Sequence, residues 1–215
     1  MAKQKIELIT SPVGTLQYPH LISPDMQENM PENQRKDGGV YNTTIQFDTN
    51  DTTQADFVAK LTKLQKDNEE KVLNATPKAK QKSLNFRDIF SIVYDSNDED
   101  TGYVECKLKL DAKVKPKNHE GWEQRPKLFD KDGNFFEGDN IGNGTKARIK
   151  LEARPYGNVT IGVGVSLRLH QLQVVELVEY VPEATGGDTF SNGKKPETAA
   201  VASEDSFEGQ NGGDF

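Results

Sequence analysis

The 215-residue sequence predicts a mainly β domain, a small barrel or open barrel of five to six strands with one clear α-helix, followed by a disordered acidic tail. Several segments alternate apolar and polar residues with period two, one segment repeats apolar residues at helical spacing, and no strand–helix–strand rhythm runs through the chain. The hydrophobic share of 33% stays below the roughly 45–50% of globular domains even when Gly is added and Tyr removed. Part of the chain is therefore expected not to fold. The domain is assigned to residues 1–181 and the tail to residues 182–215.

Residues 39–47 alternate and end in the turn-rich cluster 48–52, which reads as a strand followed by a break. From 53 to 73 the period changes, because Phe57, Leu61, Leu64 and Val72 fall on one helical stripe. Thr53 with Asp56 resembles a capping box, and Pro77 lies beyond the end. Asn68 interrupts the stripe, so the helix is expected to pack by its first half and leave a charged, solvated end. Residues 84–94 are apolar enough for either helix or strand.

The segment from Tyr103 returns to period two and has two chemically distinct faces. Val104, Cys106, Leu108, Leu110, Ala112 and Val114 point one way, while Lys107, Lys109, Lys113, Lys115 and Lys117 point the other, with Asp111 among them. The segment from Thr145 repeats the arrangement. There Ala147, Ile149, Leu151 and Ala153 alternate with Lys146, Arg148, Lys150 and Arg154, interrupted by Glu152. Solvated faces ordinarily mix signs, so nine bases against two acids on these faces point to an anionic ligand. Arg168 and Lys127 are candidates to widen the track. Between the two basic segments, 128–130 and 134–136 flank a Lys131-Asp132-Gly133 turn, a hairpin signal. Residues 159–169 read as a further strand that 172–181 continues or pairs beside, with a bend or bulge expected at Gly162 and Gly164.

Several chemistries are excluded by spacing. Asp130 opens what looks like a calcium loop, but its glycine is fourth rather than sixth and no acid closes it at the twelfth position. Gly142-Asn143-Gly144 lacks the third glycine and the strand-to-helix setting of a nucleotide fingerprint. The single cysteine, Cys106, alternates inward, and His20, His119 and His170 are scattered, so neither a nucleophile nor a metal centre is expected. The acids at 95–100 read as a solvated loop. No apolar run is long enough for a membrane span, and residues 1–10 lack a signal-peptide core, so a soluble cytoplasmic protein without catalytic role, metal or cofactor is expected.

The net charge of −7 conceals an asymmetry. From residue 182 onward, Glu183, Asp188, Glu197, Glu204, Asp205, Glu208 and Asp214 oppose only Lys194 and Lys195. Rich in Gly, Ser, Ala and Asn, this stretch cannot bury enough apolar surface to offset its ordering entropy. Its end, Asp214-Phe215, is a plausible aromatic anchor for a partner.

The pieces, taken in order, bring a family to view. Gly14-Thr15, Ser23-Pro24-Asp25, Gly39-Val40-Tyr41, the basic strand at Lys107 and Lys109, the turn at 130–133, residues 144–156, Gly162 to Leu167, Val175-Glu176-Leu177 and Gly213-Asp214-Phe215 span nearly the whole chain. In these the sequence resembles the single-stranded DNA-binding proteins of T7-like bacteriophages. The resemblance implies an OB-fold, ssDNA binding without sequence preference, homodimerisation, strand annealing, and roles in phage DNA replication, recombination and repair in the cytoplasm of the infected bacterial host. It further implies that the tail contacts the phage DNA polymerase and helicase-primase and covers the DNA site when DNA is absent. DNA-contacting positions of the family fall on Lys107, Lys109, Arg148 and Lys150, and its stacking tyrosine on Tyr156. Lys113 and Arg154 extend the cationic set. Trp122, between His119 and Arg125, is either a stacking ring or a core or dimer-interface residue. The rival readings are a phage structural or assembly protein with a solubilising tail, and an RNA-binding OB module.

Overall fold

A computed structural model describes residues 8–117 and 119–180. The tail expected at 182–215, with Asp214 and Phe215, lies outside the described residues.

The strands that build the barrel are β2 (Gly14–Asp25), β3 (Val40–Asp48), β5 (Asp100–Asp111), β9 (Lys146–Asn158) and β10 (Gly162–Glu176). They are supplemented by β1 (Leu8–Thr10), β4 (Ser91–Tyr94), β6 (Lys113–Val114), β7 (Trp122–Glu123) and β8 (Lys127–Phe129). Two helices, α1 (Thr52–Ala75) and the single turn α2 (Lys78–Gln81), lie between β3 and β4.

Pairing runs β9–β2–β3–β5–β10 and returns from β10 to β9, a closed ring of five strands of the OB-like type. All its contacts are antiparallel except β5 with β10, where Leu108 and Lys109 pair with Leu167 and Arg168 in parallel register. This parallel seam closes the ring. β1 extends the free edge of β9, β4 lies on β5, and β8 takes over the edge of β10 at Gln171–Gln173.

The predicted alternation is observed on both basic strands. Cys106, Leu108 and Leu110 on β5, and Ala147, Ile149 and Leu151 on β9, are buried with Leu16, Ile45, Phe47, Leu169 and Leu172. Each such fully buried aliphatic or aromatic side chain contributes roughly 1.5–3 kcal/mol by leaving water. The opposite residues of the same strands are consequently fixed on the outside of the barrel.

The helix differs from expectation at its start and at Asn68. Its cap is Asp51, whose Oδ1 accepts the Gln54 N–H at 2.9 Å, not Thr53 with Asp56. Packing reaches past the first half as far as Asn68, while 69–75 holds no buried residue and forms the solvated end expected. Asn68 itself is buried, and its Nδ2 donates to the carbonyls of Tyr156 and Gly164, each at 3.0 Å. The amide thus adds a donor to two carbonyls of the β9–β10 ladder, which a leucine at this position could not do. The undecided stretch 84–94 resolves as β4, preceded by a parallel bridge from Phe86 to Val163.

Other expectations are corrected by pairing. Ala112 and Val114 continue the alternation of β5 in sequence, yet β5 ends at Asp111 and Lys113–Val114 turn away to pair with Trp122–Glu123 as a separate arm. Residues 159–161 form the turn between β9 and β10 rather than strand. β10 is one continuous element, and its register shifts fall between Leu169 and Gln171 and between Val174 and Glu176, not at the glycines. The turn at 130–133 forms with Gly133 at φ +87°, but β8 pairs chiefly with β10 and meets its return side only through a bridge from Phe129 to Phe135.

Candidate nucleic-acid interface

On the outer face of β5, β10 and β9 the register sets Lys109 beside Arg168, and Arg168 beside Glu152. Lys107 and Arg154 lie two residues from this row and on the same side of it, since Ser166 pairs with Arg154. Lys109, Arg154, Ser166 and Arg168 line a cleft of about 350 Å³ walled by Val114 and Gln124 at the root of the β6–β7 arm.

Electrostatics mark this cleft as a place for an anion. Partial burial, followed by the neighbouring Lys107, pushes the Lys109 ammonium below its ordinary range, and Lys36 adds to the effect against Asp111. Burial and then Arg154 lower Arg168 in the same way, opposed by Glu152 and Asp111. Desolvated like charges repel, and an anion that enters the cleft relieves both costs.

Two residues hold the cations in place. Gln124 Oε1 accepts from Arg168 Nη2 at 2.6 Å, while Gln124 Nε2 donates to the Asp111 carbonyl at 2.7 Å. The guanidinium is thus held by a neutral partner. Glu152, buried in the middle of the cationic face, bonds Arg154 Nε at 2.8 Å and His170 Nε2 at 3.1 Å. Burial pushes its carboxyl up, but the bonds from Arg154 and His170 and their charges together hold it below the usual carboxylate range.

Not all the predicted residues share this cleft. Arg148 and Lys150, outward on β9, line a second cavity of about 230 Å³ with Thr10, Phe129, Gln171 and Gln173. The two cavities follow one another along β10, at Ser166–Arg168 and at Gln171–Gln173, with His170 and its partner Glu152 between them. Lys113 sits on the arm, paired with Glu123 at 3.3 Å, and Lys115 pairs with Asp37. Trp122, 51% exposed, lines a third cavity with Lys113, Lys115 and His119 on that arm. Lys107 is exposed beside the first cleft without lining it.

Tyr156 is half-buried, with its ring across Gly164 on the neighbouring strand. A Cβ on Gly164 would meet the Tyr156 hydroxyl at 2.8 Å and the Arg87 carbonyl at 3.1 Å. Glycine therefore makes room for the tyrosine. Arg87, exposed in the segment bonded to Val163, joins this end of the face and had no sequence signal, because its stretch carries no clear period. Gln124 was equally invisible, since its role depends on β6 leaving β5. Cys106 is buried, and burial pushes its thiol up to about 12. Among the described residues no group of His, Cys, Asp or Glu side chains could hold a metal ion, and no helix is long and apolar enough to cross a membrane.

No family model matches the sequence, and no curated protein does. Solved structures do. The chain is similar to gp2.5, a single-stranded DNA-binding protein encoded by bacteriophage T7, with a TM-score of 0.63 and 22% identity over 85% of this chain and 91% of that one. It is similar to the C-terminally truncated single-stranded DNA-binding protein from bacteriophage Enc34, with a TM-score of 0.53 and 14% identity over 80% and 87%. The same Enc34 protein in complex with ssDNA gives 0.51 and 13% identity over 80% and 88%. The overall OB-like fold is accordingly one this chain shares with these phage single-stranded DNA-binding proteins.

Proposed function

We propose that this chain binds single-stranded DNA without sequence preference along the outer face of β5, β10 and β9. The observation that carries the reading is the cleft where Lys109, Arg154 and Arg168 converge from three neighbouring strands, with Lys107 beside it. OB barrels bind oligonucleotides on the face of their second and third strands, here β3 and β5, so β5 with Lys107 and Lys109 joins that face to the cations of β10 and β9. A cationic track neutralises successive phosphates, and aromatic rings stack on bases of any identity at about 1–3 kcal/mol each. Tyr156, at the end of the track, and Trp122, on the arm, are the rings assigned to that role. Neither kind of contact reads sequence.

The likeness to gp2.5 and to the Enc34 protein supports extending the proposal to phage DNA replication, recombination, repair and annealing in the infected host's cytoplasm, without enzymatic activity. The chain then acts as a homodimer, and the acidic residues 182–215 compete with DNA for the cationic face while Asp214 and Phe215 recruit the phage polymerase and helicase-primase. Tethering gives those acids a high effective concentration, yet a long polyphosphate displaces them.

A salt titration with fluorescent oligo-dT and oligo-U tests the core of the reading. Tight, salt-dependent dT binding without preference for U is expected. Preference for U would indicate an RNA module that uses the 2′-OH, and binding of neither would indicate an assembly protein. Truncation before Glu204 is expected to leave ssDNA affinity equal or higher while weakening polymerase binding; loss of DNA binding would refute the competitor role.

A further inference from the structure

The second cavity carries a combination that the sequence did not suggest. Phe135 is 70% exposed, yet it is held rigidly. Its ring stacks on Phe129 with centroids 5.3 Å apart and planes 21° from parallel. The turn before it is fixed by Asp130, whose Oδ1 accepts from the backbone of Asp132 at 2.9 Å and of Asn134 at 2.8 Å. On the far side, the Phe136 N–H donates to the Leu128 carbonyl at 3.1 Å. Gln173 Nε2 ties the Lys131 carbonyl to β10 at 3.1 Å, and Gln173 is the register partner of Arg148. An exposed phenylalanine stacked on a half-buried one is thereby mounted beside two cations.

We propose that Phe129 and Phe135, with Arg148 and Lys150, form a second subsite for ssDNA in which a nucleobase stacks on the phenylalanine pair while its phosphate meets the cations. The inference rests on the function proposed above and places a base where none of the sequence-predicted rings reaches. An unpaired strand offers both an apolar face and an anion in each nucleotide. This cavity presents the cations of β9 and the ring of Phe129 from β8, and Phe135 stacks on that ring from the adjoining turn. A duplex offers no free base face, so the subsite selects unpaired strand.

The subsite follows the first cleft along β10. Arg148 and Arg154 are six positions apart on one strand face, roughly 20 Å at about 3.3 Å per residue. A strand leaving the Lys109–Arg168 cleft and passing Glu152 and His170 enters it without changing direction. The track therefore ends in an aromatic stop rather than in open solvent.

The full chain with Phe135→Ala is compared with wild type on oligo-dT and on an abasic oligonucleotide of equal length. The expected result is affinity for dT lower by about 5- to 150-fold, unchanged affinity for the abasic strand, an unchanged salt slope, and recovery of dT binding in Phe135→Trp. Equal dT binding by wild type and Phe135→Ala would overturn the subsite, as would equal losses on both strands. If both proteins ignored DNA altogether, the proposed function would fall and the subsite with it. Tight dT binding that Phe135→Ala leaves unchanged would sink the subsite alone.

Discussion

Six cations face outward on the β5–β10–β9 surface: Lys107, Lys109, Arg148, Lys150, Arg154 and Arg168. If each meets one phosphate, the logarithm of the ssDNA association constant falls with the logarithm of salt at a slope of about −4, from about −0.7 per contact on single strands. Raising salt from 50 to 200 mM then weakens binding about 300-fold. The double variant Lys109→Gln, Arg168→Gln removes the two cations paired across the parallel seam. Its slope is expected near −2.8, so the same salt change weakens binding only about 50-fold. Both side chains lie outside the core, and the desolvation their removal relieves offsets the loss of the Arg168 bond to Gln124. The variant is expected to keep wild-type stability. Fluorescence anisotropy with oligo-dT, oligo-dA and oligo-dC measures the slopes, and a urea melt checks the fold. A slope unchanged from wild type would refute the reasoning, because the cleft would then carry no phosphate. A slope reduced on one sequence alone would refute the claim that the contact is to backbone.

Three other outcomes follow from the geometry. Glu152→Gln removes a negative charge from beside Arg154, so ssDNA binding is expected to tighten while the salt slope stays near the wild-type value, and stability at pH 7 drops by about 1–3 kcal/mol. The Glu152 carboxyl lies below its ordinary range in the fold, so its contribution is present at neutral pH and lost as pH falls through that lowered value. The stability gap to the variant should accordingly narrow in acid, which urea melts across pH 3–7 would detect. Asn68→Leu removes both amide donations to the β9–β10 seam and is expected to lower stability by about 1–3 kcal/mol in urea. Cys106, with its thiol pushed up to about 12, is expected to ignore a thiol reagent in the native protein and to react fully in denaturant; rapid native labelling would contradict its burial.

The sequence made visible what a local period encodes. The inward sets of β5 and β9 were legible because one buried face leaves every second residue apolar, and the cations opposite them followed at once. What escaped depends on partners distant in the chain. Ala112 and Val114 carry the same alternation as β5, so nothing local announces that the chain turns out at Asp111 to build the arm that grips Arg168. Glu152 reads as an interruption of a basic ladder until His170, on another strand, is seen against it. Asn68 reads as a flaw in a helical stripe because the carbonyls it serves lie on β9 and β10. Phe129 and Phe135 look like ordinary hairpin flanks. Only the parallel pairing of β8 with β10 sets Phe129, with Phe135 stacked on it, beside Arg148.

The contrast between Gln124 and Glu152 explains how so many like charges coexist on one sheet without dispersing. Long cationic side chains left alone would swing into solvent, which lowers their repulsion but leaves each to be ordered again on binding. Pairing every one with an acid would hold them still and cancel the field. The protein divides the task. Glu152 neutralises part of the patch at its centre, where Arg154 and His170 meet it, and so limits the repulsion between the two cavities. Gln124 holds Arg168 through an amide that carries no charge, so the guanidinium is preorganised with its full charge directed into the first cleft. Rigid charge at one position and tempered charge at the next suits a ligand with a regular backbone and no fixed sequence, because affinity then comes from where phosphates can lie rather than from which bases they join.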